Sequence, residues 1–276
     1  MLTISYRWVL VLVFVLLSFG LTIREWTLLP DGKMHLRFLS VGQGDSALLR
    51  TPEGKTILID GGPDWSTLED LGEYLPFLHR RIDLLVLSHP NLDHLLSFPE
   101  ILKRYKVGGI VMSGTENALP RYRQIFNLAA EHSVPILVVA AGQSIEVEDN
   151  VTMEILWPPK TMPKGFTKNS NDASLVFMLR YRNHRALFTG DIEKPTEETL
   201  VRAHADLKAD ILKIAHHGSK TSSTDAFLQA VSPSLAVLSV GKNSYGHPRP
   251  EILEKLKSME VETRRTDLEG TIEVLW

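Results

Sequence analysis

The chain has 276 residues, a net charge of -3 and no cysteine. Its ordinary apolar and charged content excludes a disordered chain, and the near-neutral balance excludes a global pull toward nucleic acid or anionic lipid. Without thiols there are no disulfides and no thiolate zinc sites, so any metal must be held by imidazole, carboxylate or amide donors.

From Trp8 to Ile23 the sequence carries no charge, with Arg7 before it and Arg24 and Glu25 after it. As a helix this stretch would be about 24 Å long, short of a ~30 Å hydrocarbon core. A secretory signal has the same layout: a basic flank, an apolar centre and small residues such as Ser18 and Gly20 near its end. No clear cleavage motif follows, so residues 1–25 read as an uncleaved anchor ahead of a cleaved leader, with a buried core helix as the remaining option. With Arg7 inside, the rest of the chain is expected outside the cytoplasmic membrane, anchored or secreted.

After the link LLPDGK, a globular region is expected over 34–276. Strands are predicted at 35–42, 46–51 and 56–62, separated by the turns GQGD and PEGK. A buried strand at 83–89 follows, then a helix from Asp93 to about Tyr105, a strand at 108–114, a helix at 122–133 and a strand at 135–141. The second half repeats the pattern. Strands at 151–159, 174–182 and 185–191 are predicted, the last two joined by a hairpin at Asn183 and His184. A helix at 196–205, a strand at 209–218, a helix at 223–231, a strand at 233–241, a helix at 250–259 and a closing strand at 271–276 complete the chain. Sheets flanked by helices, in two halves without a linker, imply one α/β domain with two packed sheets and the helices outside.

Three predicted strands end in metal-ligand residue types. The first runs into SHPNLDH, which offers His89, Asn91, Asp93 and His94 within six positions. LFTGD brings Asp191, and LKIAHHGS brings His216 and His217. Carboxyl ends of strands are where open α/β sheets present ligands, and a loop of this spacing can converge on one divalent cation. Alone, Asp93 could as well cap the following helix. Three such strand ends together form a pattern that core packing does not produce, and a buried Asp191 would need a partner that a metal supplies.

The ordered motifs VGQGDSALL, ILIDGG, LSHPNLDH, LFTGD, IAHHGSKTSS and YGHPRPEIL resemble the metallo-β-lactamase-fold hydrolases, and more narrowly the hydrolase domain of ComEC-type competence proteins. The likeness runs from about Met34 to Trp276. It implies a four-layer αββα sandwich, preceded here by a single apolar helix, with a divalent metal site (zinc or manganese, one or two ions) at one edge between the sheets. Carried over by motif, His89, Asp93, His94 and Asp191 match metal ligands. One of His216 and His217 matches the late histidine, and His216 is favoured as the first after its strand. The family's second loop position is His or Asp, whereas here it is Asn91, a neutral donor that puts the two-ion stoichiometry in doubt. The third histidine of the broader family has no counterpart, and NSNDAS stands in its region.

A divalent cation makes bound water acidic, and Asp93 would orient that water or take its proton. His247 would donate to a substrate oxygen. Ser219 and Lys220 at a helix start suit phosphate oxygens, with Asn171 and Ser174 as pocket-lining candidates and Lys213, Lys242 and Arg249 nearby. This cluster and the ComEC resemblance together imply a phosphodiesterase or nuclease acting on DNA during uptake. The alternatives are an esterase, thioesterase or lactamase on the same fold, or a non-catalytic DNA-binding module with a decayed pocket. Asp45 is expected to tie down a turn and Asp60 to stiffen the loop beneath the metal. His35, His79, His132 and His204, and the pairs Arg80–Arg81 and Arg264–Arg265, are expected to be packing or solvated residues. The sequence sets no oligomeric state.

Overall fold

The computed structural model describes residues 6–77, 79–160, 169–203 and 206–276, so His204 lies outside the described residues. The apolar N-terminus forms one helix, Tyr6–Thr27, none of whose residues is buried. At 22 residues it is about 33 Å long, enough to cross a bilayer, and it outruns the uncharged core at both ends.

Among the described residues two seven-stranded sheets follow, with a two-stranded one formed by Arg81–Ile82 and Lys106–Val107. The first has the spatial order Ile272–Leu275, His35–Phe38, Ala47–Arg50, Thr56–Ile59, Leu84–Leu87, Ile110–Met112, Ile136–Val138. The second runs Glu262–Arg265, Leu235–Leu238, Ile211–Lys213, His184–Phe188, Val176–Tyr181, Val151–Trp157, Ser144–Glu148. In each half the chain first lays down an antiparallel meander and then three parallel strands joined by helical crossovers. The closing strand returns to pair with His35–Phe38 in the first sheet.

Alternation along the strands sorts side chains into three apolar layers. Leu36, Phe38, Ile57, Ile59 and Val86 meet Ile155, Phe177, Leu179, Phe188 and Val237 between the sheets. There Phe188 stacks on Phe177 at 5.0 Å and on Phe38 at 5.7 Å. The opposite face of the first sheet (Leu48, Leu58, Leu85, Leu87) packs on Leu71, Ile101 and Ile125 from helices Ser66–Tyr74, Phe98–Arg104 and Pro120–Glu131. The opposite face of the second packs on Leu200, Phe227 and Ile252 from Lys194–Ala203, Asp225–Val231 and Pro250–Ser258. Each such side chain contributes roughly 1.5–3 kcal/mol by leaving water. The layers are therefore helix, sheet, sheet, helix, as expected.

Several local elements differ from expectation. The helix expected from Asp93 to Tyr105 is two pieces, Leu92–Leu95 and Phe98–Arg104, because Pro99 stands in the first turn of the second piece, where its missing N–H costs nothing. Helix Ser66–Tyr74 was not expected. STLEDLGEY buries only Thr67 and Leu71, too thin an apolar stripe to show a period. Two further strands, Ser144–Glu148 and Glu262–Arg265, lie at the far edge of each side of the second sheet and are charged along their length, as exposed edges tend to be.

Candidate metal centre

Loops from both sheets meet at the carboxyl ends of their strands. In the first half, Asp60 takes a left-handed conformation (φ 57) directly after Thr56–Ile59. Its carboxylate accepts from the Ser88 N–H at 2.8 Å and the Ser88 hydroxyl at 2.7 Å. This ties the end of that strand to the end of Leu84–Leu87. His89 leaves the sheet fully buried, and the short turn Leu92–Leu95 then presents Asp93 and His94. Asp93 lies inside that turn and Asn91 is its N-cap without a side-chain cap bond, so helix capping does not account for Asp93.

In the second half, His184–Phe188 runs through Thr189 and Gly190 to Asp191. A Cβ at Gly190 (φ 51) would sit 2.8 Å from Ser174 Cβ and 3.1 Å from Ser88 Cβ. Only glycine lets the loops of the two halves close here. After Ile211–Lys213 the chain turns through His216 (φ 51) and His217 (φ 54), both left-handed and rare for residues bearing a Cβ.

Four side chains from the two halves converge. Asp93, His94, Asp191 and His217 each offer a donor atom within 4.8 Å of the others. Asp191 Oδ2 lies 3.4 Å from His94 Nε2, 3.6 Å from His217 Nε2 and 3.8 Å from His89 Nε2. Asp93 Oδ2 lies 3.5 Å from His217 Nε2 and 3.8 Å from His94 Nε2.

The fit to a cation rests on what these atoms lack. Nε2 of His89, His94 and His217 and Oδ1 of Asp191 are buried without a hydrogen-bond partner among the described residues. Orphaned polar atoms are costly in an interior, and here four of them share one spot. The other ring nitrogens are engaged: His94 Nδ1 is 2.9 Å from Asp60 Oδ2, and His217 Nδ1 donates to Ser239 O at 2.8 Å with Asp45 Oδ1 at 3.3 Å. Holding Nδ1 this way fixes the tautomer that leaves Nε2 bare, the usual second layer of a metal site.

The electrostatics agree. Burial opposes a charged His94, but Asp191, Asp93 and Asp60 outweigh it and hold the ring's pKa well above its ordinary value. Burial opposes a charged His217 as well, yet Asp191 and Asp45 push it up to about 10. Against the upward push of burial, His217 and His94 hold Asp191 well below the usual carboxylate range. His89, buried and facing His94, is pushed down to about 3. The carboxylates demand positive charge in their midst. A divalent ion supplies it and needs those nitrogens bare.

The model of the Metallo-beta-lactamase superfamily matches residues 39–242, which include every one of these side chains. The chain belongs to the metallo-beta-lactamase superfamily. It is 31% identical over 253 residues to ComE operon protein 3 of Bacillus subtilis, covering 85% of this chain and 32% of that protein. It is also 31% identical over 280 residues to Competence protein ComA of Neisseria gonorrhoeae, covering 94% of this chain and 36% of that protein. The chain thus spans about a third of the length of these curated relatives. Among solved structures, the metallo-beta-lactamase fold protein YhfI from Bacillus subtilis superposes with a TM-score of 0.60 at 12% identity, covering 87% of this chain and all of that one. That likeness speaks for the fold alone. The resemblance drawn from the motif string and the αββα architecture are both borne out, and the chain is a metallo-beta-lactamase superfamily hydrolase related to competence proteins.

Within this superfamily fold, not every predicted site residue joins the cluster. His217 does so and His216 does not, which corrects the preference for His216. The left-handed turn swings the first histidine outward, where its Nδ1 lies 3.5 Å from Glu193 Oε1 and 3.4 Å from Thr221 Oγ1. Asn91 is occupied at both ends of its amide: Nδ2 donates to Asn171 Oδ1 at 3.0 Å, and Oδ1 accepts from Ser170 Oγ at 2.7 Å. It joins the two halves rather than facing the imidazoles. Asn171 is the other half of that tie, with Nδ2 also 3.3 Å from Glu193 Oε1 and 3.5 Å from His216 Nε2.

Ser174 and Ser219, both read as substrate-binding, are buried. Ser174 Oγ accepts from the Asp191 N–H at 3.1 Å and so positions that carboxylate, and Ser219 Oγ pairs with Thr221 Oγ1 at 3.0 Å within its own turn. Lys213, grouped with the phosphate-facing lysines, is buried against Asp45 at 2.7 Å. Asp45 does more than tie a turn, since Lys213 and His217 hold its carboxyl below the usual range despite burial. Lys220 is exposed and Lys242 likewise. His247 stands with its ring 5.7 Å from those of His216 and Tyr245. Partial burial, with His216 and His217 beyond it, pushes it down to about 4, so it is neutral at pH 7.

Sequence reasoning missed Glu193 and Asn243. Glu193 follows Asp191 by two residues, a spacing that could have flagged it. Asn243 clamps the 243–247 loop through His247 N and O at 3.0 and 2.8 Å, and nothing in its local sequence marks it. His35 pairs with Asp31 and Glu273, Arg81 with Asp83, and Arg264 and Arg265 with Glu269 and Asp267.

Proposed function

We propose that the chain is a metal-dependent phosphodiesterase acting on DNA, held at the membrane by its N-terminal helix with the hydrolase domain on the extracytoplasmic side. The observation that carries the hydrolytic part is the convergence of three orphaned imidazole nitrogens and two carboxylates at the edge shared by the sheets. A divalent cation there would be held by Asp93, His94, Asp191 and His217, and when bound would acidify water and polarise a substrate oxygen. Asp93, the most exposed of the four, is the group that would orient the attacking water and take its proton. His247, neutral at the mouth, would hydrogen-bond a substrate oxygen. The rim residues Asn171, His216, Thr221 and Lys220 favour an anionic oxygen-rich substrate over an apolar acyl group. The kinship with competence proteins supports DNA as the polymer.

The donor set favours a single ion. Asn91 spends both ends of its amide on Ser170 and Asn171, so it offers no donor beside His89 for a second ion. Zinc or manganese suits the mixed imidazole and carboxylate donors.

Digestion of single- and double-stranded DNA by the full chain, with zinc or with manganese, tests the reading, with metal content measured on the same samples. The expected result is cleavage with about one ion per chain. It should be lost in His217→Ala and largely kept in His216→Ala. Folded, metal-loaded protein that hydrolyses an ester or lactam but no phosphodiester would turn the reading to the other hydrolases of this fold.

A further inference from the structure

The apolar helix is fastened to the globular domain at its charged end. Arg24 donates through Nη2 to the carbonyls of Gly72 and Glu73 at 2.5 and 3.1 Å, and Glu25 Oε2 accepts from the Phe77 N–H at 2.7 Å. Those carbonyls end helix Ser66–Tyr74, which has Glu73 and no basic residue in its last turn. The last carbonyls of a helix lack intrahelical partners and carry its negative pole, so a guanidinium is the favoured group there. Arg24 supplies from another element the cation that this helix does not carry. A second contact follows along the link, where Pro30 lies on the turn at Gly54, leaving a Cβ there only 2.6 Å from the proline ring.

Both contacts fall on one edge of the domain. Thr56–Ile59 points its far end at Asp60 and the candidate metal centre. Its near end, Thr56, is bonded to Asp83 and approached by His79. Helix Ser66–Tyr74 ends with Tyr74 under the Arg37 guanidinium at 4.9 Å, and the loop through Phe77 then carries the chain to His79 beside Thr56. Gly54 opens the same strand from that edge. Around the junction, Trp26, Leu29 and Phe77 are exposed apolar side chains, with Arg80 over the Phe77 ring at 5.5 Å. Aromatic rings with a neighbouring arginine are the composition of a membrane–water interface.

We infer that the end of helix Ser66–Tyr74 and the loop through Phe77 form a mount that seats the domain on the lipid headgroup layer, so that the metal edge faces away from the bilayer. This rests on the reading of Tyr6–Thr27 as a membrane anchor, which its length, its apolar character and its lack of buried residues support. Arg24 and Glu25 act together as a bracket: one seizes the helix end, the other the loop beyond it. The domain is carried at a set orientation and does not swing on a free tether. The substrate reaches the metal from the aqueous side.

The chain has no cysteine, so single spin labels can be placed at will. The full chain, reconstituted in nanodiscs of phosphatidylcholine and phosphatidylglycerol, is labelled singly as Phe14→Cys, Phe77→Cys or Tyr245→Cys, and the accessibility of each label to oxygen and to a water-soluble nickel chelate is compared. The expected oxygen-to-nickel ratio is highest at position 14, intermediate at 77 and several-fold lower at 245. Arg24→Ala is expected to bring the value at 77 down toward that at 245, with no more than the small loss in thermal unfolding that a lost helix-end cation brings. A lipid-exposed label at 14 with equally aqueous labels at 77 and 245 overturns the mount and leaves the anchor standing. An aqueous label at 14 overturns the anchor and the mount with it.

Discussion

In each half of the domain an aspartate follows the last antiparallel strand before the parallel ones begin, one residue past the strand in the first half and three residues past it in the second. In the first half it is Asp60, in the second Asp191. Asp60 spends its oxygens on the Ser88 N–H, the Ser88 hydroxyl and His94 Nδ1, and burial raises its pKa. Asp191 leaves Oδ1 unpaired and turns Oδ2 toward three imidazoles, which hold it far down. Loops at the same edge of the two sheets thus serve two chemistries, and the difference lies in what the next strand offers. Ser88, just past its strand, reaches back to Asp60, whereas Lys213, the last residue of the next strand in the second half, pairs with Asp45.

Removing Asp191 should break the contrast most completely. Asp191→Ala is expected to lose metal beyond the ~100-fold typical of second-layer changes, with near-zero ion content by elemental analysis. A wild-type ion content in that variant would exclude it from the donor set. Asp45→Ala comes next. It strands Lys213 in the interior, and an uncompensated buried charge costs about 3–5 kcal/mol, measurable by urea unfolding, with Lys213→Met restoring most of the loss.

Asp60→Asn is a subtler change. The amide still accepts from Ser88 but can donate to His94 Nδ1, moving the ring proton to Nε2 and blocking it as a ligand. Metal affinity should fall by about 10–100-fold, and an unchanged value by competition with a chelator would place Asp60 outside the second layer.

The helices that follow the two aspartates sharpen the comparison further. In Lys194–Ala203, Glu197 is buried with both oxygens accepting backbone N–H groups, from Ser223 at 2.6 Å and Thr224 at 2.8 Å. In Ser66–Tyr74, Asp70 has a buried oxygen without a partner among the described residues, and burial with Glu73, Glu69 and Asp64 nearby pushes it up to about 7. Its folded pKa lies above the unfolded value, so the native state takes up the proton more readily. Its contribution to stability is fully present below roughly pH 4 and is lost as pH rises through about 7. Asp70→Asn should therefore melt higher than wild type at pH 8 and together with it at pH 4. Equal melting temperatures at both would show the carboxyl to be solvated.

The sequence reveals the fold through strands of strong apolar character and through ligand types gathered at their ends. Where it misleads, the decisive information is backbone conformation or distant pairing. Nothing in IAHHGS says that both histidines turn left-handed, which reverses the choice between His216 and His217. Lys213 reads as a surface cation until Asp45, far away in the chain, is seen to bury it. Asn91 reads as a weakened ligand, yet its partners Ser170 and Asn171 are about eighty positions distant. Edge strands such as Glu262–Arg265 and the acidic helix Ser66–Tyr74 bury too little to leave a period in the sequence.

Gly190 carries one further implication. A single methyl at that Cα would act as a wedge between Ser174 and Ser88, prying apart the loops that bring Asp191 opposite His94. The approach of these loops therefore depends on an empty volume about the size of one carbon. A chain altered only there would keep every donor it has and still fail to close around an ion.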